Sequence, residues 1–190
     1  KQTVNIKGNL SSFMDILAGV PQGSILGPVI FNIFINDMHD IFERCELRNF
    51  ADDNTLDGHA SNQNELIENL EFDSKKAIKW FEDNHMIANP DKFKAIIIHK
   101  DGRDTSGIEL NINNEHIKTS KDVILLGISI DNKLSFIKHI SKICKSAANQ
   151  FNSIKRLKKH FDMEAKRNLT RTFVLSLFNY CPLVWHFCGN

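Results

Sequence analysis

The chain has 190 residues, 42% of them apolar and 25% charged, and a formal net charge of +1. These values exclude a disordered or fibrous chain, and at this length folding buries roughly 70% of the unfolded surface, enough for one domain or two small ones with real cores. No apolar run approaches the ~20 residues of a membrane span, and the opening KQTVNIKGNL lacks the apolar stretch of a secretory signal, so a soluble intracellular protein is expected.

Cys45, Cys144, Cys181 and Cys188 are scattered and form no C-x-x-C pair. Neither a disulfide framework nor a zinc knuckle is signalled, and buried free thiols are expected. Cys181 and Cys188 bracket His186, a poor spacing for a metal site. The small net charge conceals a segregation. From Asp15 to Asp91 there are 15 acidic side chains against 5 basic, and from Lys133 to Arg171 there are 11 basic against 2 acidic. One part of the chain suits cations and the other a polyanion.

In chain order, the short apolar stretch Ser11 to Leu17 runs into Gly19-Val-Pro-Gln-Gly-Ser-Ile-Leu-Gly-Pro28, a loop punctuated by glycine and proline. Val29, Ile30, Ile33, Phe34, Met38, Ile41 and Phe42 then follow helical spacing, broken only by Asp37, and predict a helix of about four turns with Pro28 in its first turn. Leu47 to Ala51 and Thr55 to His59 read as strands of a hairpin turning at Asp52-Asp53-Asn54. Leu66, Ile67, Leu70, Ala77, Ile78 and Phe81 predict a second helix over 65–81, with Ser74 as its weak point. Asn89-Pro90-Asp91 is a turn and Phe93 to His99 a β-branched strand.

Ile108, Leu110 and Ile112 alternate with polar residues before Asn113-Asn114, predicting a hairpin that returns through His116 to Thr119. Val123 to Ile130 is one further strand, in which Gly127 suggests a bulge or a close backbone approach. From Phe136 the pattern is helical, with Ile140, Ile143, Ala147, Phe151, Ile154 and Leu157 on one side and Lys138, Lys142, Lys145, Lys155 and Lys159 around the other. Lys166 to Leu177 is a last helix, ended by Asn179-Tyr-Cys-Pro182. The division of the chain falls near Asp131: a mixed region over 1–131, then a basic helical region over 132–190.

The adjacent acids Asp52 and Asp53 carry the clearest chemistry. A strand points successive side chains to opposite faces, so neighbouring carboxylates converge only where it bends into a turn. Magnesium favours such a place, since it takes one or two carboxylates and fills its shell with waters and substrate phosphates. In two-metal sites the ions lie about 3.5–4 Å apart and clamp both oxygens of an in-line phosphoryl displacement. Gly23 allows close approach of backbone to a ligand, and Gln22 brings an amide that both donates and accepts.

Together, GVPQGSILGPVIFNIFINDM and NFADDNTL closely resemble the reverse transcriptases of non-long-terminal-repeat (LINE-type, Jockey-like) retrotransposons. WFEDNHMIANPDKFKAIIIHK, LLGISIDNKLSFIKHISKI and NYCPLVW resemble later blocks of the same enzymes in the same order, so the likeness runs from about Ser11 to Phe187. The resemblance implies an α+β fold: a polymerase palm-like antiparallel sheet with packed helices, followed by a basic α-helical thumb-like subdomain. It implies that Asp52 and Asp53 are the catalytic doublet and ligands of two Mg2+ ions, with Phe50 and Ala51 in the usual positions before it. Pro21, Gln22 and Gly23 would frame the incoming nucleotide and template, and Lys92 would stand near the pyrophosphate leaving group as a general acid. Leu126 and Gly127 would belong to a primer-grip-like strand and turn, and Lys138, Lys142, Lys145, Lys155 and Lys159 would meet the nucleic-acid backbone. The implied partners are an RNA template, a DNA primer and deoxynucleoside triphosphates, with no membrane and no small-molecule cofactor.

Asn54 stands where threonine is common in these enzymes. The family's other catalytic aspartate lies in an F-x-D-x-x-x-A-F-D block upstream of the GVPQGS segment, and nothing in the chain matches it. The chain is therefore expected to be the C-terminal palm and thumb of such a polymerase and inactive by itself. The alternative is a non-catalytic remnant that still binds nucleic acid.

Overall fold

The computed structural model describes residues 1–15, 19–20 and 23–187. Two compact units divide the chain, Lys1–Ala88 and Asn89–Asn190. The first opens with a small hairpin, β1 (Asn5–Ile6) and β2 (Asn9–Leu10), turned at Lys7 and Gly8, which both have positive φ. Helix α1 follows (Gly27–Ile35) and tightens into a 3-10 turn over Asn36–Ile41. Pro28 lies in the first turn as expected, and Ser24 Oγ accepts the Gly27 N–H at 2.9 Å, satisfying a donor with no partner in the helix.

A hairpin of β3 (Glu46–Phe50) and β4 (Asp53–Asp57) comes next, then helix α2 (Gln63–Asp83). Asn62 caps α2, its side-chain oxygen accepting the Glu65 N–H at 2.9 Å while its side-chain amide donates to the Glu65 carboxylate.

The core of this unit is Ile35, Met38, Ala77 and Trp80, with Phe31, Ile41, Phe42, Leu47, Phe81 and Met86 packed around it. Trp80 stacks at a tilt on Phe34 (5.8 Å between centroids) and edge-on to Phe81 (5.6 Å). The buried face of α1 and the turn after it is the expected one only in part: Met38, Ile41 and Phe42 lie in or against the core, but Val29, Ile30 and Ile33 are at least half exposed and Phe31 and Ile35 face the core in their place. The sequence GPVIFNIFI is apolar nearly all round, so its periodicity leaves the choice of face to Trp80 and Ala77 across the contact. The α2 stripe lies as expected, with the addition of a buried Asp73.

In the second unit a 3-10 turn (Pro90–Lys92) is capped by the Asn89 side chain, which accepts the Asp91 N–H. The expected strand over Phe93 to His99 does not form. Only Ala95 makes an isolated bridge, to Thr119, and Ile97 is held by its carbonyl, which accepts the Thr105 hydroxyl. The Ser120 N–H, which donates to the Ala95 carbonyl at 2.8 Å, holds the segment together with that hydroxyl.

Strands β5 (Glu109–Ile112) and β6 (Glu115–Lys118) form the predicted hairpin, turned at Asn113 and Asn114 with φ of 55° and 69°. Val123 to Ile130 is not one strand but a second hairpin, β7 (Asp122–Leu125) and β8 (Ile128–Asp131), turned at Leu126 and Gly127. Gly127 has φ of 82° and an added Cβ would touch nothing within 4 Å, so it serves the left-handed turn rather than a close approach.

Asp131 then organises the entry to helix α3 (Ile137–Arg156), accepting the N–H groups of Lys133, Ser135 and Phe136 and the Ser135 hydroxyl. Helix α4 (Met163–Thr170), capped by Asp162, continues through a π-helical segment over Arg171–Leu175 into α5 (Ser176–Asn179). The chain closes with Val184 buried and Trp185 donating to the Phe178 carbonyl.

The α+β class is as expected, but the described strands pair into four separate two-stranded hairpins rather than one palm-like sheet. Each hairpin is completed by a tight local turn and needs no neighbour for its ladder. No helix among the described residues is long and apolar enough to cross a membrane.

Candidate functional site

The doublet stands at the far end of the β3–β4 hairpin. The register runs from Glu46 opposite Asp57 to Phe50 opposite Asp53, so the turn consists of Ala51 and Asp52, one residue earlier than expected. Ala51 has φ of 53°, the left-handed conformation that the first turn residue adopts in tight hairpins whose twist matches their strands. Asp52 is a turn residue and Asp53 the first of β4, and both are exposed.

Cross-strand partners share a face, so Asp53 lies on the same face as Phe50, itself 66% exposed. Arg48, two residues before, pairs on that face with Asp57 and Glu46. On the opposite face Leu47 reaches the core, and the Asn49 amide donates to Asn54 Oδ1 at 2.7 Å. Asn49 Oδ1 is buried and has no hydrogen-bond partner among the described residues.

Neither Asp52 nor Asp53 has an ion pair among the described residues, so both carboxylates are available to an external cation. Exposed oxygens without a competing lysine or arginine suit magnesium, which keeps its waters. They are only two ligands, and no group of three or more His, Cys, Asp or Glu side chains that could hold a metal occurs among the described residues.

The base of the hairpin is held as firmly as its tip is free. Asp73, fully buried on α2, accepts the N–H of Glu43 (3.3 Å), Arg44 (2.8 Å) and Cys45 (2.7 Å), the three residues leading into β3. One turn along α2, Lys76 donates to the Ile41 carbonyl and pairs with Glu43. Phe72, next to Asp73, carries the Arg44 guanidinium on its ring at 4.0 Å. At the other strand's end, a Cβ on Gly58 would come within 3.1 Å of Cys45 Sγ, so the two ends meet closely and a side chain there would require its neighbours to shift by a few tenths of an ångström. Burial, with the Asp73 carboxylate beside it, pushes the Cys45 thiol up to about 11.

Sequence reasoning missed Asp73. The signal was present, since Leu66, Leu70, Asp73 and Ala77 share one helical spacing and a charge occupies a core position.

Of the other predicted residues, Gly23 is described, with φ of 81° in an exposed turn, whereas Pro21 and Gln22 lie outside the described residues. Lys92 is exposed on the 3-10 turn of the second unit. Leu126 and Gly127 form the exposed turn of β7–β8, and the Tyr180 hydroxyl donates to the Leu126 carbonyl at 2.6 Å. Lys142, Lys145 and Lys155 are exposed on α3, and Lys138, also exposed, pairs with Asp122. Lys159 lies past the helix end.

An open depression of about 640 Å3 follows the last turns of α3, lined by Asn149, Asn152, Ser153, Lys155, Arg156 and Lys158. The apolar stripe of α3 is covered only in part: Ala147 is buried, whereas Phe151 and Leu157 are half exposed. His139, on the neighbouring face, is buried as well. Of the cysteines, Cys45 and Cys181 are half-buried and Cys144 is exposed, contrary to expectation; Cys188 lies outside the described residues.

Residues 1–130 match the family model described as reverse transcriptase (RNA-dependent DNA polymerase). The chain belongs to the reverse transcriptase family. It is 28% identical over 147 residues to the RNA-directed DNA polymerase from mobile element jockey of Drosophila melanogaster, an alignment covering 74% of this chain and 16% of the relative. The jockey polymerase of Drosophila funebris is 30% identical over 156 residues, covering 75% and 16%. A probable RNA-directed DNA polymerase from transposon X-element of Drosophila melanogaster is 22% identical over 144 residues, covering 74% and 16%. No solved structure matches the chain. The reverse transcriptase chain thus spans 16% of the length of these curated relatives, and its likeness to Jockey-like, non-LTR reverse transcriptases is the one its motifs suggested.

Proposed function

We propose that the chain is the palm (residues 1–131) and thumb (residues 132–190) portion of an RNA-directed DNA polymerase that copies an RNA template from a DNA primer. The observation that carries this reading is the pair of unpaired carboxylates, Asp52 and Asp53, on a hairpin turn within the region that matches the reverse transcriptase family. Asp52 and Asp53 would hold magnesium. Two such ions, when bound, neutralise charge on the attacking and leaving oxygens of nucleotidyl transfer.

The remaining roles belong to the chain's own side chains. Phe50, in register with Asp53, presents a ring on the carboxylate face, with Ala51 shaping the turn. Gly23, with Pro21 and Gln22, frames the nucleotide and template, and Lys92 donates a proton toward the pyrophosphate. The Leu126-Gly127 turn holds the primer end. Lys138, Lys142, Lys145, Lys155 and Lys159 neutralise phosphates, which gives grip without sequence preference.

The doublet alone provides two of the carboxylates such a clamp needs, so the isolated chain is inactive in this reading. Primer extension with magnesium, an RNA template and deoxynucleoside triphosphates tests it. A longer polypeptide carrying this chain extends the primer, Asp52→Asn in it lowers the rate by about 10²–10³-fold, and the isolated chain gives no product. Undiminished extension by Asp52→Asn overturns the assignment. A second reading, a non-catalytic nucleic-acid-binding remnant, is favoured by the exposed α3 lysines, which need no metal to bind a duplex.

A further inference from the structure

We propose that Asp73 is a positioning residue for the Asp52–Asp53 turn, which its buried carboxylate orients from the opposite end of the β3–β4 hairpin; this rests on the metal-binding reading above. The hairpin acts as a lever. A five-residue strand is about 17 Å long, and the hairpin's side-chain bonds Arg48–Asp57, Arg48–Glu46 and Asn49–Asn54 are internal to it. Its direction is therefore set at the base. There, three consecutive N–H groups converge on one fully buried carboxylate, and the last of them belongs to Cys45, the residue adjoining β3.

A buried carboxylate without a cationic partner is costly unless its oxygens are satisfied by hydrogen bonds. Asp73 meets that condition with three backbone donors, joined by the Cys45 thiol, and backbone donors fix position in a way a flexible lysine does not. Lys76 grips the same segment further upstream, at Ile41 and the Glu43 side chain, and so steadies it without aiming the strand. The close approach of Gly58 to Cys45 ties the second strand to the same point.

The test uses Mn2+ alone as probe, titrated into the isotope-labelled chain while amide resonances are followed by NMR. In the wild-type chain, paramagnetic broadening centres on Asp52 and Asp53 and is lost in Asp52→Asn. In Asp73→Asn, with helix content intact by circular dichroism, the apparent Mn2+ affinity falls about 3–10-fold and hydrogen exchange of the Leu47 to Leu56 amides accelerates. Lys76→Met, which loosens the same loop, leaves the Mn2+ affinity within twofold.

Unchanged affinity in Asp73→Asn, or an equal loss in Lys76→Met, overturns the proposal. Should Asp73→Asn unfold, Asp73→Glu keeps the acceptor and charge but lengthens the reach by a methylene, and an unaltered affinity there overturns it as well. If the wild-type chain shows no broadening at the doublet, the metal-binding reading fails. Hairpin exchange then decides the positioning role, and equal protection in wild type and Asp73→Asn refutes it.

Discussion

Cys45 shows how one buried acid changes its neighbours. Its folded thiol is pushed to about 11 by burial and by Asp73, against an ordinary 9.0. A raised value means that the fold favours the protonated thiol, so the stability it contributes is present below about pH 9 and is lost as pH rises through about 11. Two outcomes follow. At pH 8, peptide-resolved alkylation by iodoacetamide modifies the exposed Cys144 much faster than Cys45, since the thiolate is the nucleophile. Cys45→Ser flattens the alkaline decline of the thermal midpoint.

Asp131 works in the opposite direction. Burial would raise its pKa, but the N–H groups of Ser135 and Phe136, with the Ser135 hydroxyl and the Lys133 N–H, outweigh it and leave the carboxyl lowered. Its contribution is therefore present above the ordinary value of 3.8 and is lost as pH falls through the lowered one. Asp131→Ala should cost about 2–3 kcal/mol by losing bonds to a charged acceptor, read as a lower urea midpoint that no longer depends on pH between 5 and 3 in the way the wild type does (roughly the span of carboxylate titration).

At the scale of elements, the hairpins rest on turn residues with positive φ, and the side chains in those turns differ in how well they tolerate it. Asn113 and Asn114 adopt it readily, and their hairpin was legible from sequence for that reason. Ala51 adopts it less readily, so the turn at Ala51-Asp52 was not the one expected, Asp52-Asp53-Asn54. Holding a non-glycine residue there costs about 1–2 kcal/mol. Ala51→Gly should raise stability by about 0.5–1 kcal/mol, less than the strain relieved because glycine gains freedom when unfolded, and a lower urea midpoint for Ala51→Gly would show that the turn is not strained. The helices divide in the same way. The stripe of α2 is narrow and was readable, whereas α1 is apolar on most sides and its buried face was decided by Trp80.

For the whole molecule, the charge segregation places the carboxylate turn in Lys1–Ala88 and the lysine-rich α3 in Asn89–Asn190. If α3 meets phosphates, binding to a B-form DNA duplex is salt dependent, with a slope near 0.9 per phosphate contact on logarithmic axes. Replacing Lys142 and Lys145 together by glutamine should then reduce that slope by about 1.8, measured by fluorescence anisotropy over a salt series. An unchanged slope removes both lysines from the interface.

The amino-acid sequence by itself determined the family, the doublet, the α2 stripe and the Asn-Asn hairpin, because each depends on residues close together in the chain and on local conformational preference. Tertiary structure alone decided which face of α1 is buried and that Asp73 holds the base of the hairpin. Those outcomes depend on how segments meet in space, and in the last case on residues some thirty positions apart, where a buried carboxylate is stable only because three backbone donors converge on it.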